Sequence, residues 1–263
     1  MGALKTEGIV LRKYYLRETS YILVLYTREF GKIKGVLKGV RKPFPQFAGN
    51  FEILSCCQVV FYKKKSALDL ITQCEAVEYF NKVRSDLEKL AYASYFAELV
   101  DAVTADHDAD PGIFDILKGS LGMLARASGA KRVRRIFEIK LLGALGFSPQ
   151  VDECVKCSSQ VNEKSFFSAA SGGIMCPKCH GNGDDNIPVS LGAIKFMRKI
   201  QASDIDRAEH IKLSHEVGVE TEFILDRFVR MQIGRSIKAL KFLDEIREFE
   251  SGMENKTRGV ELR

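Results

Sequence analysis

Four of the seven cysteines stand in two C-x-x-C pairs, Cys154-Val155-Lys156-Cys157 and Cys176-Pro177-Lys178-Cys179, with 18 residues between the pairs. A two-residue spacer lets one tight turn aim two thiolates at a single ion, and this doubled spacing falls in the window of four-thiolate zinc sites. Four thiolates close a tetrahedral shell and leave no position for water, so the expected cofactor is one structural Zn²⁺ and not a catalytic metal. Ser165 to Met175 reads as two short strands around Gly172-Gly173 that return the second pair to the first, the pattern of a zinc ribbon. A redox pair or disulfides are the alternative reading, and His180 could replace one cysteine. Cys56, Cys57 and Cys74 lie in apolar strand contexts, where free cysteine behaves as a small hydrophobe.

The second chemical signal is charge. Residues 1–80 hold 13 Lys/Arg against 7 Asp/Glu, the remaining 183 residues hold 27 of each, and the first 80 also hold 12 of the 25 Phe and Tyr. Cations interleaved with rings suit single-stranded nucleic acid, where charges track phosphates and rings stack on bases. The plain alternative is a core with a solvated basic face.

Other chemistries are poorly served. The chain contains no phosphate-cradling G-x-x-x-x-G-K-[ST], no G-x-G-x-x-G after a strand, no H-E-x-x-H and no G-x-S-x-G, which shifts the expectation from an enzyme to a binding protein. No run of 18 uncharged apolar residues exists, and the opening MGALKTEGIVLRK lacks a signal-peptide pattern. The expectation is an unsecreted protein of a reducing compartment, with no membrane partner.

These residues need elements to hold them. Lys5–Tyr14, Ser20–Thr27, Lys32–Val40, Phe51–Tyr62 and Leu68–Val77 read as five short strands, without room for a long crossover helix, and so predict a small closed barrel of the OB type. Gly35 and Gly39 suggest bulges or close backbone approach within the third. The loop Arg41-Lys42-Pro43-Phe44-Pro45-Gln46-Phe47 is either a nucleic-acid contact or a Pro-stiffened connection, and Lys63-Lys64-Lys65 reads as a hairpin tip. From about Val83 the period becomes helical, with helices over 83–103, 113–127, 131–146, 190–200 and 216–249, the last interrupted near Gly234. The fold class is therefore α+β. A five-stranded barrel domain spans 1–80, and an all-α domain spans 81–250 with a ribbon inserted at 152–183. A polar tail at 251–263 is expected to be disordered.

Two further clusters bear charge. Asp106 to Asp110 could hold a hard cation, but a turn before Pro111 is adequately explained by helix capping. Arg132 and Arg135 near the start of one helix, and Arg235 and Lys238 near the C-terminus, could extend a phosphate track. Glu222, Asp226, Glu245 and Glu248 are placed to pair with such cations instead.

The order of these parts resembles the bacterial RecO recombination-mediator family. The resemblance is carried by Gly8-Ile9-Val10-Leu11-Arg12, by Leu23 to Leu25 with Thr27-Arg28-Glu29-Phe30-Gly31-Lys32, and by Gly39-Val40-Arg41-Lys42. The ribbon, with Phe167-Ser168 before Gly172-Gly173, and Gly234-Arg235-Ser236-Ile237-Lys238 add to it. It implies an OB-fold domain, a helical domain and a zinc segment. It also implies a non-catalytic bacterial protein of the cytoplasm and nucleoid that binds single- and double-stranded DNA and anneals complementary strands. With RecR, such a protein helps load RecA onto DNA coated by single-strand-binding protein. By position, Arg12, Lys32, Arg41 and Lys42 match the family's basic barrel positions; Lys13, Lys34, Lys38, Lys63, Lys64 and Lys65 join them from charge alone. Cys154, Cys157, Cys176 and Cys179 match the ribbon ligands. Pro43-Phe44-Pro45 departs from the more basic or Ser-rich loop the resemblance implies. A zinc-ribbon RNA-binding or translation-associated factor is the competing class.

Overall fold

The computed structural model describes residues 2–40, 51–65, 67–162, 164–181, 186–234, 237–239 and 242. Arg41, Lys42, Arg235, the Pro43–Phe47 loop, residues 243–249 and the 251–263 tail lie outside the described residues.

The N-terminal strands are β1 (Leu4–Leu16), β2 (Ser20–Thr27), β3 (Gly31–Leu37), β4 (Cys56–Tyr62) and β5 (Asp69–Glu78). They close in the order β1-β2-β3-β5-β4, with β4 returning to β1. Every pairing is antiparallel except β3 with β5. This is the α+β, OB-like barrel that five short strands without a crossover helix demand. Alternation explains its interior. Leu23 and Leu25 on β2, Ile33 and Leu37 on β3, Val59 and Phe61 on β4 and Ile71 on β5 point inward and are buried, with Cys57 and Cys74 among them. A bulge between Val10 and Arg12 shifts the register of β1 against β2. Gly35 is a close-approach glycine: a Cβ there would sit 2.6 Å from Cγ1 of Ile71, so the absent side chain lets β5 lie against β3.

The chain then forms α1 (Asn81–Arg84), α2 (Leu87–Val103), α3 (Pro111–Arg126) and α4 (Ala130–Ala144). Asp86 caps α2 by accepting the Lys89 N–H at 3.1 Å. Ala91, Tyr92, Tyr95, Phe96, Leu99 and Val100 are all buried, so α2 is an interior helix apolar on most of its surface. Pro111 opens α3, where its missing N–H costs nothing, and Oδ1 of Asp110 accepts from Gly112 N at 2.7 Å and Ile113 N at 3.3 Å. Capping thus accounts for Asp110 in the acidic turn.

Beyond α4 come β6 (Phe166–Ser168), β7 (Gly173–Met175) and β8 (Asn186–Pro188), a small sheet in the order β7-β6-β8. The third strand is an addition to the two read from the sequence. Then follow α5 (Leu191–Ala202), the short α6 (Ile205–Ala208) and α7 (His215–Ile233), which ends on Gly234 in the left-handed conformation.

Two compact units result. One is built on Met1–Phe114, Leu124–Arg126 and the residues from Ile237; the other on Asp115–Met123 and Ala127–Ser236. The barrel therefore shares its unit with α1 and α2. In the other unit α4, α5 and α7 pack together, and Phe167 of β6 meets Phe228 of α7 edge-on at 5.5 Å. Arg134 on α4 is buried there and reaches Glu138 at 2.9 Å, Glu222 at 3.5 Å and Asp226. No described helix is long and apolar enough to cross a membrane.

Candidate metal centre and nucleic-acid interface

Two backbone turns create the metal site. In the first, Cys154 O accepts from Ser158 N at 2.9 Å, and in the second, Cys176 O accepts from Cys179 N at 3.0 Å and His180 N at 3.1 Å. Each turn points two thiols to one spot. Strand β7 brings the turns together: Val155 N donates to Ile174 O at 2.8 Å, and Ile174 N to Gln150 O at 2.9 Å. Gly173 is required at this crossing, because a Cβ would stand 2.3 Å from Gln150 O.

The four Sγ atoms of Cys154, Cys157, Cys176 and Cys179 lie within 4.8 Å of one another. Sγ of Cys157 is 3.7 Å from Sγ of Cys176. A tetrahedron with metal–sulfur bonds of about 2.3 Å has edges of about 3.8 Å, so the donor set fits a four-thiolate ion. The Cys176 N–H, 3.4 Å from Sγ of Cys154, stabilises negative charge on that sulfur. The thiols share protons unevenly. Cys176 is drawn down to about 6, first by the Ser159 hydroxyl, whereas Cys179 is pushed up to about 12, first by its contact with Cys157. His180 is occupied elsewhere: its Nδ1 lies 2.9 Å from Pro177 O and its ring stacks on Phe166 at 4.0 Å. Among the described residues this is the one cluster able to hold a metal ion.

The basic residues divide sharply by environment. On the outer face of the barrel Arg12, Val24 and Lys34 stand side by side in register. The end of α2 and the turn after it lie against this face. Arg12 pairs with Asp101, and Lys34 reaches Oδ2 of Asp106 at 2.8 Å. Lys32 is buried, and its Nζ donates to the carbonyl oxygens of Asp101 and Thr104 at 2.7 Å each. An ammonium so enclosed cannot track a phosphate, and Lys32 leaves the candidate surface. Lys13 lies 3.0 Å from Glu52 and over the rings of Tyr21 and Phe51.

Arg135 leaves it for the same reason, whereas Arg132 is half-buried with its guanidinium turned to backbone carbonyls. Arg132 donates to Glu209 O at 2.7 Å and Ile211 O at 3.2 Å, while Arg135 is buried and lies 2.6 Å from Glu222. The acids near α4 pair with these cations, as the alternative sequence reading expected. Lys238 is exposed, with its backbone N–H bonded to Glu98 at 2.9 Å.

Lys38, Lys63, Lys64 and Lys65 remain exposed on the barrel. The three consecutive lysines belong to the β4–β5 connection, whose base is fixed by Lys64 N donating to Asp69 at 2.9 Å. The β1–β2 turn carries exposed Arg17, and beside it Tyr14 and Tyr15 are 46% and 73% exposed. These two loops are the ones OB-folds use to grip oligonucleotides. Tyr14 and Tyr15 were not singled out by sequence reasoning, although their position at the end of a strand in the ring-rich basic segment was a usable signal.

Comparison with known proteins agrees in chain order. Residues 1–80 match the model for the N-terminal part of recombination protein O, and residues 84–241 match that for its C-terminal part. The chain is 34% identical over 251 residues to a DNA repair protein RecO of Symbiobacterium thermophilum, covering 94% of this chain and 99% of that one. It is 33% identical over 243 residues to the protein of the same name from Dehalococcoides mccartyi, covering 92% and 95%. A match that spans both the barrel and the ribbon-bearing helical segment identifies this chain as a member of the RecO family.

Proposed function

We propose that this chain is a non-catalytic DNA repair and recombination protein that binds single- and double-stranded DNA and anneals complementary strands. With RecR it would help load RecA onto single strands coated by single-strand-binding protein. The observation that carries the reading is the family match in chain order over a barrel whose two loops display Lys63–Lys65, Arg17, Tyr14 and Tyr15. Cations on these loops would neutralise phosphates and release counterions, while the rings hold unpaired bases by stacking. Two strands held on such a surface lose much of their mutual repulsion, and their base edges stay free to pair.

In the ribbon, Cys154, Cys157, Cys176 and Cys179 would hold one Zn²⁺, which supplies a fixed four-way link and no reaction chemistry. The DNA contacts we assign are Lys38 and Lys63–Lys65, with Lys13, Lys34 and Arg12 available only where their present acidic partners are released. Arg41, Lys42, Arg235 and Lys238 are assigned from the sequence.

A salt-titrated annealing assay with complementary DNA strands, with and without single-strand-binding protein, tests the reading. Acceleration that fades with salt is expected. Tight binding without annealing, or a preference for RNA of equal sequence, would favour an RNA-binding factor instead.

A further inference from the structure

Helix α7 carries large apolar side chains on the outside. Val219 is 55% exposed, Phe223 52% and Met231 49%. The inner face of the same helix already buries Thr221, Ile224, Leu225, Phe228 and Val229, so the outer residues are surplus to the core of their unit. On that outer face the order is Glu216, Val219, Phe223, Arg227, Arg230, all exposed. Phe223 is its midpoint: Val219 and Arg227 stand four residues to either side, and Glu216 and Arg230 seven. Offsets of four and seven residues keep side chains on one stripe of an α-helix.

The stripe is complementary to itself when reversed. Rotating a second copy by half a turn about Phe223 sets Phe223 on Phe223, Val219 beside the stem of Arg227, and Glu216 against Arg230 at both ends. Placing an acid in the first turn and a base in the last also suits the helix dipole. The dipole, however, gives no reason for an exposed Phe midway between them. Arg227 already lies over the Phe223 ring, its guanidinium carbon 5.8 Å from the centroid, and would cover the edge of the ring pair. Asp226 is turned away toward Arg134 and does not oppose the seam.

We propose that α7 is the seam of a reversible, two-fold pairing of two copies of this chain. A closed two-fold contact uses the same patch on both partners, which is what this palindromic order of charge and apolarity provides. The seam offers five residues a side, against the roughly 20–30 a side of a stable complex, so the pairing is weak and concentration-dependent. Two copies gathered on one DNA lattice raise their effective concentration and need no larger interface.

Sedimentation velocity of the full chain over a wide concentration range tests this. The wild-type sedimentation coefficient should rise with concentration, and Phe223→Glu should weaken the association at least about tenfold. Glu216→Arg alone and Arg230→Glu alone should each stay monomeric at concentrations where the wild type pairs. Mixed one to one, these two variants should associate again, since every end contact then joins opposite charges, and that recovery also shows both to be folded. A wild type that stays monomeric throughout, a Phe223→Glu protein that still pairs, or a mixture that fails to recover association would each overturn the proposal. In those cases the stripe belongs to an unlike partner or to none.

Discussion

The ammonium of Lys32 in β3 lies 2.7 Å from the carbonyl oxygen of Asp101 and 3.2 Å from its carboxylate. A barrel cation therefore caps the C-terminal end of α2, where unpaired carbonyls and the negative end of the helix dipole gather. Replacing Lys32 by Met leaves the carbonyls of Asp101 and Thr104 without their cation and the nearly buried Asp101 carboxylate with Arg12 alone. We expect a loss of about 2–4 kcal/mol in urea unfolding, with the salt dependence of DNA binding unchanged. Unchanged stability with a shallower salt slope would instead make Lys32 a phosphate contact.

The lysines of the β4–β5 loop should behave in the opposite way. Replacing Lys63, Lys64 and Lys65 together by Ala removes exposed charges only, so stability should hold. Every phosphate that a lysine neutralises steepens the dependence of log affinity on log salt by about 0.7–0.9, so the triple variant should bind DNA with a slope shallower by about 2–3. Fluorescence anisotropy at several salt concentrations measures this.

Tyr15 offers a test of stacking separate from charge. Tyr15→Ala should weaken binding to a single-stranded oligonucleotide by about 1–3 kcal/mol and leave the salt slope alone. A duplex, whose bases are already stacked, should be bound nearly as before. Equal losses on both substrates would rule out base stacking by this ring.

Metal removal should act locally. Purified, reduced protein should carry about one equivalent of zinc, and a chelator should expose four reactive thiols while far-ultraviolet ellipticity stays mostly intact. Because ligands must be deprotonated, metal affinity should fall as pH falls. Cys157→Ser should reduce the bound zinc, read by elemental analysis.

The buried charges around Arg134 give a prediction with a sign. Burial pushes the Asp226 carboxyl up; Arg134 pulls it down, and Glu222 adds to the rise. A carboxyl raised on folding binds its proton more tightly in the folded chain. Its contribution therefore favours folding at low pH and is lost as pH rises from the ordinary carboxylate value of about 4 through the raised one. Asp226→Asn removes that dependence. It should change stability at neutral pH by less than about 1 kcal/mol, since the side chain is partly exposed, and the comparison should move in favour of the variant as pH rises. Arg134→Met should cost about 3–5 kcal/mol, because it removes the cation that the buried Glu138 carboxylate faces at 2.9 Å.

The elements were readable because their signals are local. Ser20–Thr27 was placed to the residue by its β-branched and aromatic content, and the cysteine spacing located the ribbon turns. What escaped was pairing across sequence distance. Nothing near Lys32 announces that its charge will be spent on Asp101 and Thr104, some 70 residues on, so its match to a basic barrel position of the family placed it among the DNA contacts. For Arg135 the sequence left two readings open, a phosphate contact and pairing with acids such as Glu222, and it is the packing of α7 on α4 that brings Glu222 to it. Strand β8, as short as β6 and β7, was missed because no glycine turn like Gly172-Gly173 joins it to its partner β6.

The parallel junction of β3 with β5 bears on how the barrel is made. Strands β1 to β3 are joined by short turns and can pair as they emerge, but the outer edge of β3 must wait for Asp69–Glu78. Closing a parallel contact over such a separation is slow, because loop entropy is lost before the contact returns anything. During synthesis, a chain that has not yet reached Asp69 carries the unpaired edges of β3 and β4, open to pairing with a neighbouring nascent chain until the fifth strand takes its place between them.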